Sequence, residues 1–124
     1  MVSNHAYYTA KELKTMSSIR HHKDHVVELQ LITHAINQIK ISNILVVYLA
    51  NFFNQKDNIK ITTKDDNKRK REAVKKFIEK ITLSSAEKDH INTVYKKWTD
   101  LKSNLSNQPF DIFYDSMNKI FKKN

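Results

Sequence analysis

The sequence contains no glycine, and its one proline, Pro109, stands where a helix would begin. Glycine enters positive φ angles without a steric cost, so tight hairpin turns and left-handed helix caps usually depend on it. A chain of this length with average composition would hold roughly nine glycines. Their absence favours helices joined by short polar loops. It also excludes the glycine-rich phosphate-binding loops of the common nucleotide-binding folds.

Capping patterns and apolar stripes predict an all-α fold, a compact bundle of five or six helices. Thr9 with Glu12, and Ser84 with Glu87, match the capping box, in which a hydroxyl and a carboxylate satisfy free amides at a helix N-terminus. Apolar residues recur at helical spacing along much of the chain, most regularly over residues 91–105. Each stripe would be the face that a helix turns towards a shared core.

We expect one domain over residues 1–124, with residues 1–8 flexible. A helix with one apolar face is predicted from about Asp24, because apolar residues follow at spacings of three and four. The apolar run 44–50 either continues this helix or belongs to a new one that Ser42 caps. Periodicity does not separate a buried helix from a buried strand in this run, but the helical neighbourhood favours a helix.

The clearest loop is an exposed basic stretch, residues 55–67, which is polar and rich in turn-forming residues. Ile59 and Ile61 alternate with lysines there, a pattern that fits one short strand. The next helix is predicted to begin at Asp66 or Asn67, since either residue can act as an N-cap.

The net charge of +9 indicates an anionic partner, such as nucleic acid, an acidic protein or a lipid surface. The basic residues are 19 Lys and only 3 Arg, and Asn and Ile are also abundant. This bias is typical of an AT-rich genome, so part of the charge reflects composition. Lysine lacks the planar fork that reads base edges, and specific base recognition is therefore not expected.

The charge concentrates in the basic segment, residues 56–80, which holds ten basic and five acidic residues. With a helix starting at Asp66 or Asn67, the cations at 68–71 would oppose the helix dipole, a cost that phosphate binding would justify. A nuclear-import signal and a solvated surface remain alternatives. Without aromatic residues between Lys56 and Lys76, binding should be independent of sequence and sensitive to salt. The candidate anion-binding residues are Lys64, Lys68, Arg69, Lys70, Arg71, Lys75 and Lys76.

Three of the six histidines lie in the stretch 20–25. On a helix, His21 and His25 would lie one turn apart with Glu28 as a third ligand, so a divalent metal is an alternative occupant. Neighbouring cations and the lack of a second ligand cluster argue against it. We expect no metal and no cofactor.

The same stretch resembles the Arg-x4–6-His motif of the HEPN ribonucleases in Arg20, the polar His21 after it, and His25. The resemblance implies a small all-α domain that dimerises around a metal-independent RNA-cleaving cleft. It implies that Arg20 neutralises the scissile phosphate, that His21 supports it and that His25 acts in general acid–base chemistry. An endoribonuclease of this kind is the alternative function.

The main functional prediction is a non-enzymatic helical accessory protein that acts through protein–protein contacts, with a protein partner or a second copy. Nucleic-acid or acidic-partner association would occur through the basic segment. Having no cysteine, the chain cannot form disulfides or thiolate sites. We read no signal peptide, and the run 44–50 is too short for a membrane span, so we expect a soluble protein of the cytoplasm or nucleus. Its size and composition suit a virus, a mobile element or a pathogen.

Overall fold

The computed structural model describes residues 8–17, 24–105 and 110–122, and over these it has six α-helices. They are α1 (Ala10–Met16), α2 (Leu29–Ile36), α3 (Asn43–Phe53), α4 (Lys64–Ile78), α5 (Ser85–Lys102) and α6 (Asp111–Lys122). A single 3-10 turn, Lys56–Asn58, lies between α3 and α4. The predicted all-α helical bundle is confirmed.

Side-chain caps fix where several helices begin. The two predicted capping boxes form, with Thr9 and Glu12 at the start of α1 and Ser84 and Glu87 at the start of α5. The Ser42 hydroxyl accepts from the Leu45 amide, so α3 is a helix of its own and does not continue α2. These caps accept hydrogen bonds from backbone amides of the first turn that would otherwise lack acceptors.

Three fully buried aromatic side chains form the centre of the core. Phe53 of α3, Trp98 of α5 and Phe113 of α6 have ring centroids 5.7 to 6.2 Å apart. Around them, α4 packs mainly against α5, and α2 contacts α1, α4 and α6. Burying one such side chain stabilises a fold by about 1.5–3 kcal/mol, so this cluster holds the bundle together.

The segment before α2 is not helical, which corrects the prediction of a helix from about Asp24. The Asp24 carbonyl accepts from the Lys60 amide at 3.0 Å, and His25 forms an isolated antiparallel bridge with Ile59. The predicted strand at Ile59 and Ile61 is reduced to this one bridge. Long-range pairing has overridden the local helical pattern.

Asn58 is the residue that imposes this pairing. Its side chain is fully buried, its Oδ1 accepts from the Val27 amide at 2.8 Å, and its Nδ2 donates to the carbonyls of Val27 and Phe53. Its backbone carbonyl accepts from the Val26 amide at 2.8 Å. Asn58 therefore clamps the segment before α2 to the end of α3.

Helix α4 begins at Lys64, earlier than predicted, because the Thr63 hydroxyl caps it by accepting from the Asp66 amide at 3.0 Å. Residues 64–67, assigned to the exposed loop from sequence, are thus helical. Asp65 and Asp66 lie in the first turn, where negative charge is favourable. The cations at 68–71 lie in the second turn, so the prediction that they oppose the helix dipole was wrong.

Two of the sequence-based expectations lie outside the described residues: the flexible start of the chain, up to residue 7, and the helix-starting role of Pro109. Tyr8 is described, and its amide donates to Asn37 Oδ1 at 2.9 Å. Among the described helices, none combines the length and the apolar character that crossing a membrane requires.

Candidate polyanion-binding groove

Four of the predicted cations form a stripe along one face of α4, which we call the cation stripe: Lys64, Lys68, Arg71 and Lys75. Their spacings of four, three and four residues bring them to the same side of a helix. The stripe covers about 16 Å of the helix axis. All four residues are exposed, and none takes part in an ion pair within the described part of the chain.

The cation stripe forms one wall of a groove of about 650 Å³, the basic groove. The opposite wall comes from α1 and from the chain that enters α2, and it adds a fifth cation, Lys14. Glu28 and Glu72 are the carboxylates that line the groove, so positive charge is in excess. Gln30 joins the two walls, because its Nε2 donates to the Arg71 carbonyl at 3.1 Å.

Lys70 is turned in towards the segment before α2 and does not join the cation stripe, which corrects the prediction that it is an anion-binding residue. Its side chain is only 12% exposed, and its Nζ lies 3.8 Å from Glu28 Oε2. The same Nζ donates to the carbonyls of His25 and Val26. Lys70 therefore fastens α4 to the segment before α2 and is not free to meet a ligand.

Burial affects both members of this pair. Desolvation raises the pKa of Glu28, although its hydrogen bond from Gln30 and the nearby Lys70 oppose the shift. Desolvation likewise lowers the pKa of Lys70, against the attraction of Glu28. Glu28 Oε2 has no hydrogen-bond partner within the described residues. The pair is held by charge attraction at the inner side of the groove.

The remaining two predicted cations on α4 are engaged elsewhere. Arg69 forms an exposed ion pair with Asp66 at 3.3 Å. Lys76 donates to Glu87 Oε2 at 2.6 Å, which joins α4 to α5 and holds the pKa of Glu87 below its usual value. Of the seven predicted anion-binding residues, the structure therefore brings four together at the groove.

His25 belongs to a buried hydrogen-bond network. Its side chain is 3% exposed, and its Nε2 lies 2.8 Å from Asn54 Oδ1. Asn54 Nδ2 donates to Ser17 Oγ, so Asn54 Oδ1 accepts the proton of His25 Nε2. Arg20 and His21, the other residues of the HEPN-like motif, lie outside the described residues.

The metal alternative at His21, His25 and Glu28 depended on a helix through all three residues. Residues 24–28 are not helical, so their sequence spacing does not place ligands on one face. His25 is bonded to Asn54, and Glu28 is paired with Lys70. In the described part of the chain, no group of three or more His, Asp or Glu side chains is arranged to hold a metal ion.

Sequence reasoning missed the second wall of the groove. Lys14 lies on the short helix α1 and has no charge cluster around it to mark it in the sequence. Only the packing of α1 against α2 and α3 brings it to the groove. No protein-family model matches this chain, and neither curated proteins nor solved structures give a significant match.

Proposed function

We propose that this chain is a non-enzymatic binding protein that holds the phosphate backbone of a nucleic acid in the basic groove, without reading base sequence. The observation that carries this proposal is the unpaired cation stripe with Lys14 on the facing wall. Cations at regular intervals along a rigid helix suit a nucleic-acid backbone, which carries one negative charge per nucleotide. Neutralising phosphates releases condensed counterions, which drives binding of this kind.

The lining of the groove favours a nucleic acid over an acidic protein. Protein interfaces depend on apolar or aromatic anchors that fill pockets. Among the described residues of this lining, Ala10 and Leu29 are the apolar ones, and none is Phe, Tyr or Trp. Four of the five cations are lysines, which act as point charges on phosphate and do not make the bidentate contacts by which arginine reads guanine.

Exposed apolar residues support the other part of the proposal, a protein partner or a second copy. Ile44 and Tyr48 lie one turn apart on α3 and are 79% and 48% exposed, although the sequence predicts a buried run there. The Tyr48 ring contacts Phe110, which precedes the half-exposed Ile112 of α6. Apolar side chains grouped at a surface are typical of protein contacts.

Fluorescence anisotropy tests the nucleic-acid part of this proposal directly. The probes are a labelled DNA duplex and a labelled single-stranded RNA of mixed sequence. Each is compared with a nucleic acid of the same kind and length but scrambled sequence, and with polyglutamate of equal charge. We expect scrambling to leave affinity unchanged and polyglutamate to bind more weakly than either nucleic acid. If polyglutamate bound as tightly as DNA and RNA, the nucleic-acid proposal would be contradicted and an acidic protein would become the favoured partner.

The protein-contact part is tested by comparing native pull-downs of the wild type and of Ile44→Ser with Tyr48→Ser. We expect the double variant to lose proteins that the wild type retains, while a Lys40→Ser control retains them. Identical sets of captured proteins would exclude this surface as the contact. Sedimentation of the two purified proteins distinguishes a second copy from another partner.

A further inference from the structure

A second cavity, of about 380 Å³, lies between α2, the C-terminal end of α4 and α6. It shares no lining residue with the basic groove. Phe77, Ile78 and Ile120 give it an apolar wall. Its volume falls in the range of about 300–1,000 Å³ that is typical of small-molecule sites.

The rim of this cavity is basic. His34 from α2, Lys80 after α4 and Lys119 from α6 line it, together with Gln38, and none of the described lining residues is a carboxylate. None of the three basic residues forms an ion pair with another described residue. The cavity therefore joins unneutralised positive charge to an apolar wall of three large side chains, unlike the basic groove, whose described lining includes two carboxylates.

The backbone of Lys80 has a left-handed conformation, with a φ of 62°. Its amide donates to the Phe77 carbonyl at 3.2 Å, and the Ile81 amide donates to the Lys76 carbonyl at 2.9 Å. These are the two hydrogen bonds of the Schellman motif, whose left-handed position glycine usually occupies. In a chain without glycine, a lysine fills it, and the cavity gains a cation at its rim.

The pKa of His34 reflects its burial and the positive charge of Lys80 beside it. Burial lowers the pKa of His34, and the charge of Lys80 lowers it further. This shift favours the neutral imidazole, so the two lysines supply the positive charge of the rim. An anion bound beside Lys80 would reverse part of this effect and raise the pKa of His34.

We propose that this cavity binds a small organic anion with an apolar body: a carboxylate, sulfonate or phosphate monoester on a hydrocarbon or aromatic framework. The anionic group would lie between Lys80 and Lys119, and the body would cover Phe77, Ile78 and Ile120. Ser116 Oγ donates to the Ala35 carbonyl at 2.8 Å, so it is not a donor to the ligand. This site is independent of the nucleic-acid proposal.

Two fluorescent probes that differ by one charged group test this inference. The first is 1-anilinonaphthalene-8-sulfonate, and the second is the uncharged N-phenyl-1-naphthylamine. We expect one sulfonate probe per chain, bound at least about tenfold more tightly than the neutral probe, which corresponds to about 1.4 kcal/mol. Equal affinity for the two probes would overturn the proposal.

Variants locate the site of binding. Lys119→Gln and Lys80→Gly should each weaken sulfonate binding severalfold and leave the neutral probe unaffected. Lys80→Gly removes the charge at a backbone position that glycine tolerates well, so the fold is kept. Lys88→Gln, on the exposed surface of α5, is the control for charge alone. An unchanged affinity in both cavity variants, or an equal loss in the control, would contradict the assignment.

NMR titration of His34 gives a readout that binding elsewhere would not move. The sulfonate probe should raise the pKa of His34. A pKa of His34 that is the same with and without saturating probe would exclude this cavity as the site.

Discussion

The Nζ of Lys70 lies 3.8 Å from the Oε2 of Glu28, and both side chains are almost completely withdrawn from solvent. Removing one partner from a buried pair leaves the other charge without compensation. Lys70→Met should therefore lower the free energy of unfolding by about 3 kcal/mol. Adding Glu28→Gln should recover much of this loss. Urea denaturation near neutral pH measures both, with the exposed Lys68→Met as control, and equal losses in Lys70→Met and Lys68→Met would contradict a buried pair.

The raised pKa of Glu28 predicts how stability changes with pH. Above the usual value of 4.5 and below its folded pKa, the folded protein binds a proton that the unfolded chain does not. The contribution of Glu28 is therefore full at low pH and is lost as the pH rises through the folded pKa. Relative to Glu28→Gln, the wild type should gain stability as the pH falls from neutral towards 4.5. A constant difference between their urea midpoints across that range would contradict this prediction.

Asn58 should be one of the most sensitive polar positions in the chain. Asn58→Ala removes the side-chain hydrogen bonds to Val27 and Phe53 and leaves their buried backbone groups unsatisfied. We expect a loss of about 3–4.5 kcal/mol in the free energy of unfolding, at about 1–1.5 kcal/mol for each of the three bonds. The exposed Asn92→Ala is the control and should change stability little. If thermal unfolding shows similar losses for both, the clamp is not a major source of stability.

Replacing Lys80 by glycine should stabilise the fold. A left-handed conformation costs a residue with a Cβ atom about 1–2 kcal/mol. Glycine avoids this cost but adds about 0.4–1 kcal/mol of unfolded-chain entropy. The net gain expected for Lys80→Gly is about 0.5–1 kcal/mol, measured by chemical denaturation, and Glu79→Gly, at the neighbouring C-cap with its negative φ of −83°, should instead destabilise. A destabilising Lys80→Gly would contradict the left-handed turn.

The purified protein should not cleave RNA. His25 is buried and bonded to Asn54, an arrangement that suits a structural role. Labelled RNA incubated with wild type, with and without a chelator, should stay intact. Cleavage that survives chelation and disappears in both Arg20→Ala and His25→Ala would establish the ribonuclease alternative.

The sequence predicts those parts of the fold that depend on neighbouring residues. The capping boxes at Thr9 and Ser84 mark helix starts because hydroxyl, amide and carboxylate lie within one turn. The apolar face around Trp98 likewise follows from helical spacing alone. These helix signals can be recognised without knowing how distant parts of the chain pack.

Contacts between distant residues account for what the sequence does not predict. Asn58 and Val27 are 31 positions apart, and nothing near either one indicates their hydrogen bonds. The inward position of Lys70 depends on Glu28, and the location of Lys14 depends on how α1 packs. One wall of the basic groove, on α4, can therefore be predicted from the charge density of the sequence. The facing wall can be identified only from the tertiary structure.

Apolar burial was overestimated for α3 for a related reason. A run that is apolar on every side predicts a helix covered on every side. Ile44 is nevertheless 79% exposed, because the neighbouring helices cover one side of α3 and leave this residue outside. An uncovered apolar face can be seen only once all six helices are in place.

The salt dependence of nucleic-acid binding tests the central claim most directly. We would replace the cation stripe by glutamine and compare it with a variant that loses the same charge from exposed lysines elsewhere: Lys40, Lys88, Lys96 and Lys122. Each phosphate neutralised on a duplex contributes about −0.9 to the slope of log affinity against log salt. The stripe variant should bind more weakly, with a slope flatter by about 3.6, and the control variant should keep nearly the wild-type slope. Equal slopes for the wild type and the stripe variant, or the same change in both variants, would contradict the basic groove as the binding site.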